Sequence, residues 1–271
     1  MKNPNFSIII PTYNRCYVLW KAIQSILQQT YPYFEIIIVD DGSTDQTHKL
    51  IQQFQDPRIN YYQLDSNQGA SKARNFGLKK AQADLIAYLD SDNTWYPDFL
   101  FVMYQAYQKH PEKKIMYCKK NYRLTLVDEE GNQKNVRDEF SKNKNYFDLK
   151  RLWQRRILID TNAMCHKKDE IIELGGWDEN LGFWEDWELT LRISEKYPDG
   201  FMFLNRTLSS YEQKLSLEKA QETFKFWGQE EAKIFEKHQN NPLLKDQNWF
   251  PPRKDNRSTL GVVEMLREMK K

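Results

Sequence analysis

The sequence has few of the features that mark crosslinked or zinc-stabilised proteins. Its 271 residues contain three cysteines, Cys16, Cys118 and Cys165, which are far apart and form no CxxC or Cys/His pattern. An odd number of scattered cysteines excludes a disulfide framework and a structural zinc site, and is typical of reduced thiols in the cytoplasm. A chain of this length buries enough apolar surface to fold without such crosslinks.

Long apolar runs and a strong excess of one charge are also absent. No window reaches the ~18 apolar residues of a membrane-spanning helix, and residues 1–14 lack the basic and apolar regions of a signal peptide. We therefore expect a cytoplasmic protein, either free or peripherally bound at the inner face of the membrane. The formal net charge of +2 predicts no nucleic-acid partner.

Glycine-rich phosphate-binding motifs are missing as well, because the sequence contains neither GxGxxG nor GxxxxGK[ST]. The first half instead alternates apolar runs of strand length with stretches of helical spacing. The predicted strands are 6–10, 34–39, 59–64 and 85–89, and the predicted helices are 18–29, 47–54 and 71–81. This alternation predicts an α/β fold with a mostly parallel, Rossmann-like central sheet flanked by helices.

The second half is less regular. The predicted helices are 96–110, 149–155, 167–174 and 185–197, and the predicted strands are 115–117, 122–127 and 159–166. A turn is predicted at 128–132. Beyond residue 212 we expect a long polar helix at 213–238 and a short amphipathic segment at 260–269.

Four polar loops follow the first four predicted strands: "PTYN" at 11–14, "DDGSTD" at 40–45, "DSNQGASKARN" at 65–75 and "DSDN" at 90–93. The carboxyl ends of parallel strands share one edge of a sheet, so these loops are expected to converge. Helix capping accounts for Ser43, Thr44 or Asp45. Two adjacent aspartates exceed what a cap needs, and a carboxylate at a strand end can accept a hydrogen bond from the N–H of a base.

The third loop opens a helix with a glycine and brings Lys72 and Arg74 close to the helix N-terminus. Such a position suits a phosphate group, because free backbone N–H groups and the helix dipole both favour an anion. Solvated charges on an amphipathic helix are the alternative for both residues.

In the fourth loop, Asp90 and Asp92 follow an apolar strand at positions i and i+2. Such a pair suits a divalent cation that also binds a diphosphate, although most aspartate pairs at strand ends form turns. "LDSDNT" also matches the DxDxT nucleophile loop of haloacid-dehalogenase-like phosphatases. In those phosphatases the motif is expected after the first strand of the chain, whereas three βα units precede it here.

Glu185 and Asp186 begin a predicted helix between Trp184 and Trp187. A carboxylate between two tryptophans is partly desolvated, which suits a general base. Acidic residues in a first helical turn also complement the helix dipole, so a purely structural role is the alternative.

Taken in order, the motifs resemble the inverting family 2 glycosyltransferases with the GT-A fold: "FSIIIPTYNR", "FEIIIVDDGSTDQT", "NQGASKARNFGL", "LIAYLDSDNTWYPDFL", "GGWDENL" and "WEDWELTLR". The resemblance covers about residues 6–211. It implies nucleotide binding by Pro11, Thr12, Tyr13, Asp40, Asp41, Lys72, Arg74, Asp90 and Ser91. It also implies a metal on Asp92 and Asp90, a catalytic base at Asp186, and sugar or acceptor contacts from Trp177, Trp184 and Glu185.

The resemblance further implies a nucleotide-diphosphate sugar donor, usually a UDP-sugar, with Mn²⁺ or Mg²⁺ and a saccharide or lipid-linked acceptor in polysaccharide or glycolipid synthesis. Residues 1–212 would form the catalytic domain, with a nucleotide-binding half at 1–95 and an acceptor-binding half at 96–212. Residues 213–271 would form a helical extension, open to membrane attachment or homodimerisation.

One departure concerns Tyr211–Lys214, where many relatives carry a Tyr-Arg-x-His stretch whose histidine reaches the metal or diphosphate. The present sequence reads "YEQK", so the third metal ligand is unassigned. The missing histidine keeps open an alternative, a non-catalytic module that binds nucleotide sugars or glycans.

Overall fold

The computed structural model describes residues 4–127, 133–140, 147–153, 157–216 and 229–241. The strands are β1 (Phe6–Thr12), β2 (Phe34–Asp40), β3 (Ile59–Gln63), β4 (Leu85–Tyr88), β5 (Asn93–Trp95), β6 (Ile115–Val127), β7 (Gln133–Phe140), β8 (Met164–Lys167) and β9 (Phe201–Ser216). The helices are α1 (Leu19–Leu27), α2 (Thr47–Ile51), α3 (Ala70–Lys80), α4 (Phe99–Lys109), α5 (Leu149–Trp153), α6 (Lys168–Glu173), α7 (Glu185–Lys196) and α8 (229–238).

The strands form one sheet in the order β3-β2-β1-β4-β8-β6-β9-β5, and β7 pairs with β6 outside this path. Strands β3, β2, β1 and β4 are parallel, and β9 is parallel to β6. Strands β8, β5 and β7 run antiparallel to their neighbours. The predicted α/β class with a mostly parallel sheet is therefore confirmed.

The apolar run of β1 is buried because helices cover both faces of the sheet. Ile8 and Ile10 pack in a cluster with residues of α1 and α4, whereas Ile9 packs in a second cluster with residues of α3 and α7. Helix α3 approaches closely at Gly77, where an added Cβ would lie 2.6 Å from Ile9 Cγ2. Only glycine allows this approach, which fixes α3 and hence Arg74 against the sheet.

The strands and helices predicted for the first half are all present. In the second half, the two strands predicted at 115–117 and 122–127 are one continuous strand, β6, because β9 pairs along its whole length from Ile115 to Val127. The segment predicted as a strand at 159–166 is a short 3-10 helix (Thr161–Ala163) followed by β8.

The helix predicted to begin at residue 213 does not begin there. Strand β9 continues to Ser216 because its backbone pairs with β6, and tertiary pairing of this kind overrides a local helical pattern. Residues 229–238 within the predicted helix are helical. The turn at 128–132 and the segment at 260–269 lie outside the described residues. Over the described part of the chain, no helix combines the length and the apolar character needed to cross a membrane.

Candidate active site

The polar loops at the carboxyl ends of β1, β2 and β4 converge, as predicted, around a cavity of about 540 Å³. Nine of the predicted site residues line this cavity: Pro11, Thr12, Tyr13, Asp41, Arg74, Asp90, Ser91, Asp92 and Glu185. The cavity lining also includes Arg15, Asn67, Gly182, Phe183 and Tyr211. The predicted residues Asp40, Lys72, Trp177, Trp184 and Asp186 are not part of its lining.

The two adjacent aspartates after β2 have different partners. Asp40 is fully buried and accepts hydrogen bonds from Ser43 N (2.8 Å) and from the Tyr61 hydroxyl (2.6 Å). Asp41 faces the opposite loop, where its carboxylate accepts hydrogen bonds from Gln68 N (2.9 Å) and Gly69 N (2.7 Å). Asp40 therefore holds its own turn, and Asp41 is the one that borders the cavity.

The "PTYN" and "DDGSTD" loops are joined through Asn14, whose φ of 53° lies in the left-handed region. Asn14 N donates to Ser43 Oγ (2.8 Å), and Asn14 Oδ1 accepts from Thr44 N (2.8 Å). These bonds fix the backbone that carries Tyr13, whose side chain remains 41% exposed at the cavity.

Arg74 connects the end of β4 to the start of α7. Its guanidinium lies 2.8 Å from Asp90 Oδ1 and 2.8 Å from Glu185 Oε1, and packs over the ring of Trp177 at 4.8 Å. Burial alone would lower the pKa of Arg74, but the Asp90 and Glu185 carboxylates raise it above its usual value. Arg74 is thus a fixed cation beneath the cavity, whereas Lys72 is exposed on the same helix.

Asn162 holds the carboxylate of Asp90 from the other side. Asn162 Nδ2 donates to Asp90 Oδ2 (2.8 Å), and Asn162 Oδ1 accepts from Asp90 N (2.6 Å). The same Nδ2 donates to Asp160 Oδ1 (3.1 Å), and the second oxygen of Asp160 pairs with Lys120. Because each oxygen of Asp90 accepts a protein hydrogen bond, the orientation of this carboxylate is fixed.

Asp92 is less constrained. Its Oδ2 lies 4.0 Å from Arg15 Nη2, and its side chain is 31% exposed. Burial and the nearby Asp90 carboxylate raise the pKa of Asp92, although Arg15 partly opposes them. Ionising the Asp92 side chain at the cavity therefore costs more free energy than ionising a free aspartate.

These two aspartates fit a divalent cation. Among the described residues there is no group of three or more His, Cys, Asp or Glu side chains that could hold a metal. A full protein cage is not required, because Mg²⁺ commonly binds one or two carboxylates and takes its other ligands from water and phosphate. A cation beside Asp92 and Asp90 would offset the repulsion that raises the pKa of Asp92.

Asp186 is the second residue of α7, and the helix begins directly after Trp184, whose φ is 63°. Burial, followed by the Glu185 and Asp160 carboxylates, raises the pKa of Asp186 to about 8. The turn is anchored by Trp187, which is 1% exposed and donates from Nε1 to Leu152 O (2.9 Å). The raised pKa matches the expected desolvation of a carboxylate between two tryptophans.

Trp177, predicted to contact sugar, is 2% exposed and lies beneath Arg74, with its ring edge-on to Tyr88. Phe183 is the aromatic residue of this segment that reaches the cavity, and it is 36% exposed. Asn162, Asp160, Lys120 and Arg15 were not predicted. "DTN" at 160–162 is a second polar i, i+2 pair, a signal similar to "DSD" that could have revealed Asp160 and Asn162.

The chain resembles named bacterial glycosyltransferases. Over 99 residues it is 43% identical to TuaG of Bacillus subtilis (strain 168), which is provisionally named a teichuronic acid biosynthesis glycosyltransferase. The match covers 36% of this chain and 39% of that one. It is 38% identical over 118 residues to the provisionally named colanic acid biosynthesis glycosyl transferase WcaA of Escherichia coli (strain K12), covering 43% and 42%. The matches thus span about two fifths of these relatives' length.

Solved structures share the fold. S. aureus TarS in complex with UDP-GlcNAc superposes with a TM-score of 0.61 at 21% identity, over 77% of this chain and 58% of that one. The mannosyltransferase PcManGT from Pyrobaculum calidifontis, in complex with GDP-Man and Mn²⁺, superposes with a TM-score of 0.58 at 19% identity. The match covers 76% of this chain and 56% of that one. Together with the curled, mostly parallel sheet, these likenesses confirm the predicted GT-A fold.

The family model described as glycosyl transferase family 2 matches residues 7–171, more than half of the 271 residues. This range includes the loops after β1, β2 and β4 that line the cavity, together with Arg74 and Asn162. The chain belongs to glycosyl transferase family 2.

Proposed function

We propose that the protein is a metal-dependent inverting glycosyltransferase that moves a sugar from a UDP-sugar to an acceptor hydroxyl. The observation that carries this proposal is the composition of one cavity. The "PTY" segment and Asp41 line it together with the Asp90 and Asp92 carboxylates, and Glu185, the neighbour of the proposed base, also belongs to its lining.

Pro11, Thr12 and Tyr13 frame the nucleotide base, and the exposed ring of Tyr13 offers a surface for stacking. Asp41 is preferred over Asp40 as the acceptor for the base N–H, because Asp41 belongs to the cavity lining and Asp40 does not. Ser91, which also lines the cavity, would contact the diphosphate.

Two basic residues were predicted near the diphosphate. Arg74 acts indirectly in this proposal, because its guanidinium is engaged by Asp90 and Glu185 and orients both carboxylates. Lys72 is exposed outside the cavity lining, so its contribution is limited to the electrostatic field at the start of α3.

Asp92 would hold the cation directly, and Asp90, held by Arg74 and Asn162, would bind the donor sugar or a water on the metal. A Mn²⁺ or Mg²⁺ ion held there would supply positive charge that offsets the negative charge on the departing diphosphate. The Mn²⁺ complex of the similar mannosyltransferase supports the use of a divalent cation.

Asp186 takes the proton of the acceptor hydroxyl as that hydroxyl attacks the anomeric carbon. A raised pKa suits this role because it makes the carboxylate a stronger base. One base without an enzyme nucleophile gives a single displacement, which inverts the configuration at the anomeric carbon. Asp160 and Lys120 lie on the same side of the site and modulate the charge on Asp186.

The acceptor is a saccharide or lipid-linked saccharide in the synthesis of a surface polysaccharide, as the names of the teichuronic and colanic acid relatives suggest. Residues 1–95 supply the nucleotide side and 96–212 supply the acceptor side, and the extension proposed for 213–271 starts within β9, which ends at Ser216.

A thermal-shift screen of nucleotide sugars with and without Mn²⁺ tests the proposal, because a ligand that binds only the folded state raises the melting temperature. We expect a UDP-sugar to stabilise the protein only with Mn²⁺, and Asp92→Asn to abolish the effect. Asp84→Asn, an exposed aspartate preceding β4, is the matched control. A UDP-sugar that binds equally well without metal, or in Asp92→Asn, contradicts metal dependence.

The missing histidine in "YEQK" favours a second candidate function, a non-catalytic module that binds nucleotide sugars. That candidate predicts Mn²⁺-dependent UDP binding with neither hydrolysis nor transfer for any donor in the panel.

A further inference from the structure

Helix α8, at 229–238, lies outside the range matched by the family model. It packs against α7, the helix that carries Asp186. Ile234 is fully buried, and the ring of Phe235 lies edge-on to Trp187 with centroids 6.1 Å apart. The ring of His238 lies edge-on to Trp153 at 5.6 Å. The described part of the C-terminal segment therefore shares its core with the base-carrying helix.

Charged contacts reinforce this packing. The side chain of Glu188 on α7 is 0% exposed and pairs with Arg192 of its own helix (2.7 Å) and with Lys237 of α8 (2.5 Å). A buried carboxylate is costly unless cations compensate for it, and Lys237 of α8 shares this compensation with Arg192 of α7. Lys237 also pairs with Asp178 Oδ2 (2.7 Å), at the start of the segment that leads into α7.

Glu230 binds the same segment at a second point. Its Oε2 accepts a hydrogen bond from Gly182 N (3.0 Å), and its Oε1 pairs with Lys233 (2.6 Å). Glu230 is 9% exposed, so little water competes for this bond. Residues 178–182 are thus held by α8 at both ends, immediately before Phe183.

We propose that α8 positions Gly182 and Phe183, which form the sugar-contacting wall of the cavity. Glu230 and Lys237 hold the segment that ends in Gly182 and Phe183, and the ring of Phe183 packs against the sugar of the donor. Gly182 and Phe183 both line the cavity, and Phe183 retains 36% exposure that a sugar ring could cover. A wall fixed before binding avoids the entropic cost of ordering it around the ligand. This inference rests on the proposed donor class.

Calorimetric titration with UDP, UDP-glucose and UDP-GlcNAc in the presence of Mn²⁺ tests the role of Glu230. The wild type should bind at least one of these UDP-sugars more tightly than UDP. Glu230→Ala should weaken the binding of that UDP-sugar about tenfold, while the affinity for UDP stays within about twofold of the wild type. UDP lacks the sugar that contacts this wall. Glu230→Gln should retain wild-type affinity, since its amide oxygen still accepts from Gly182 N. Glu236→Gln, an exposed glutamate on the same helix, is the control.

Phe183→Ala provides the second arm. It should reproduce the loss seen in Glu230→Ala, and the double variant should lose no more than either single variant, because both changes remove one interaction. Hydrogen exchange should increase at the Gly182 amide in Glu230→Ala and stay unchanged in β4.

Three results would overturn the inference. The wild type could bind UDP and both UDP-sugars with equal affinity, Glu230→Ala could lose affinity for UDP and for the UDP-sugar to the same extent, or the losses of affinity could be additive in the double variant. A wild type that binds neither UDP nor a UDP-sugar is a distinct outcome. It rejects the proposed function itself and the inference with it.

Discussion

Arg74 Nη2 lies 2.8 Å from Asp90 Oδ1, and this ion pair joins α3 to the end of β4 directly beneath the cavity. The Nη1 atom of the same guanidinium binds Glu185 at the start of α7. A single buried cation thus sets the distance between the carboxylates proposed for the metal and the turn that carries the proposed base.

Replacing Arg74 should destabilise the fold. Arg74→Met leaves Asp90 and Glu185 without their shared cation, and removing one partner of a buried ion pair is strongly destabilising. Because both carboxylates are partly exposed, we expect a loss of about 2 kcal/mol in the free energy of unfolding, less than the ~3–5 kcal/mol for a fully buried pair. Urea unfolding measures it, with Lys72→Met on the exposed face of α3 as control. An unchanged midpoint would show that the pair contributes nothing to stability.

Asn162 should act on the metal through Asp90. Asn162→Ala removes the donor to Asp90 Oδ2, so the carboxylate loses its fixed orientation. Asp90 is proposed to bind a water on the metal, and loss of a supporting hydrogen bond behind a metal site weakens metal affinity about tenfold or more. Titration of Mn²⁺ into the protein in the presence of excess UDP measures the effect. Asn60→Ala, which removes a bond to Glu35 at the far end of the sheet, should leave Mn²⁺ affinity unchanged; an equal loss there would point to a general disturbance.

The stability of the protein should depend on Asp186 in a defined pH window. Burial and neighbouring carboxylates raise the pKa of Asp186 to about 8, whereas an aspartate in the unfolded chain titrates near about 4. Between these values the folded state holds one more proton than the unfolded state, so the free energy of unfolding falls as pH rises.

Asp186→Asn removes this titration. Its stability relative to the wild type should be unchanged near about pH 4 and should increase steadily towards about pH 8. Urea unfolding at several pH values measures the difference, with Glu236→Gln as control. A stability difference that does not vary with pH would show that the pKa of Asp186 is not raised.

The first half of the fold and most of the cavity were predictable because each predicted element has a local signal. Apolar runs identify β1 to β4, and parallel strands necessarily bring their end loops together. This convergence placed Tyr13, Asp41 and the Asp90–Asp92 pair in one cavity.

Contacts distant in sequence were not predictable in this way. Asn162 meets Asp90 across 72 positions, and no local pattern specifies which polar residue of a late loop reaches an early one. A helix was predicted to begin at residue 213, but pairing with β6 extends strand β9 to Ser216. Trp177 lies in the "GGWDENL" motif, from which a sugar or acceptor contact was predicted. Its large apolar ring is instead buried beneath Arg74 and does not face the cavity.

The central claim is that Asp186 is the base of a sugar transfer at this cavity, and the Asp186→Asn variant tests it most directly. The amide is nearly isosteric but cannot accept the proton of the acceptor hydroxyl. With Mn²⁺ present, we expect Asp186→Asn to bind the UDP-sugar with an affinity within about twofold of the wild type and to lose transfer by at least about a hundredfold. Transfer at the wild-type rate in Asp186→Asn would contradict the account.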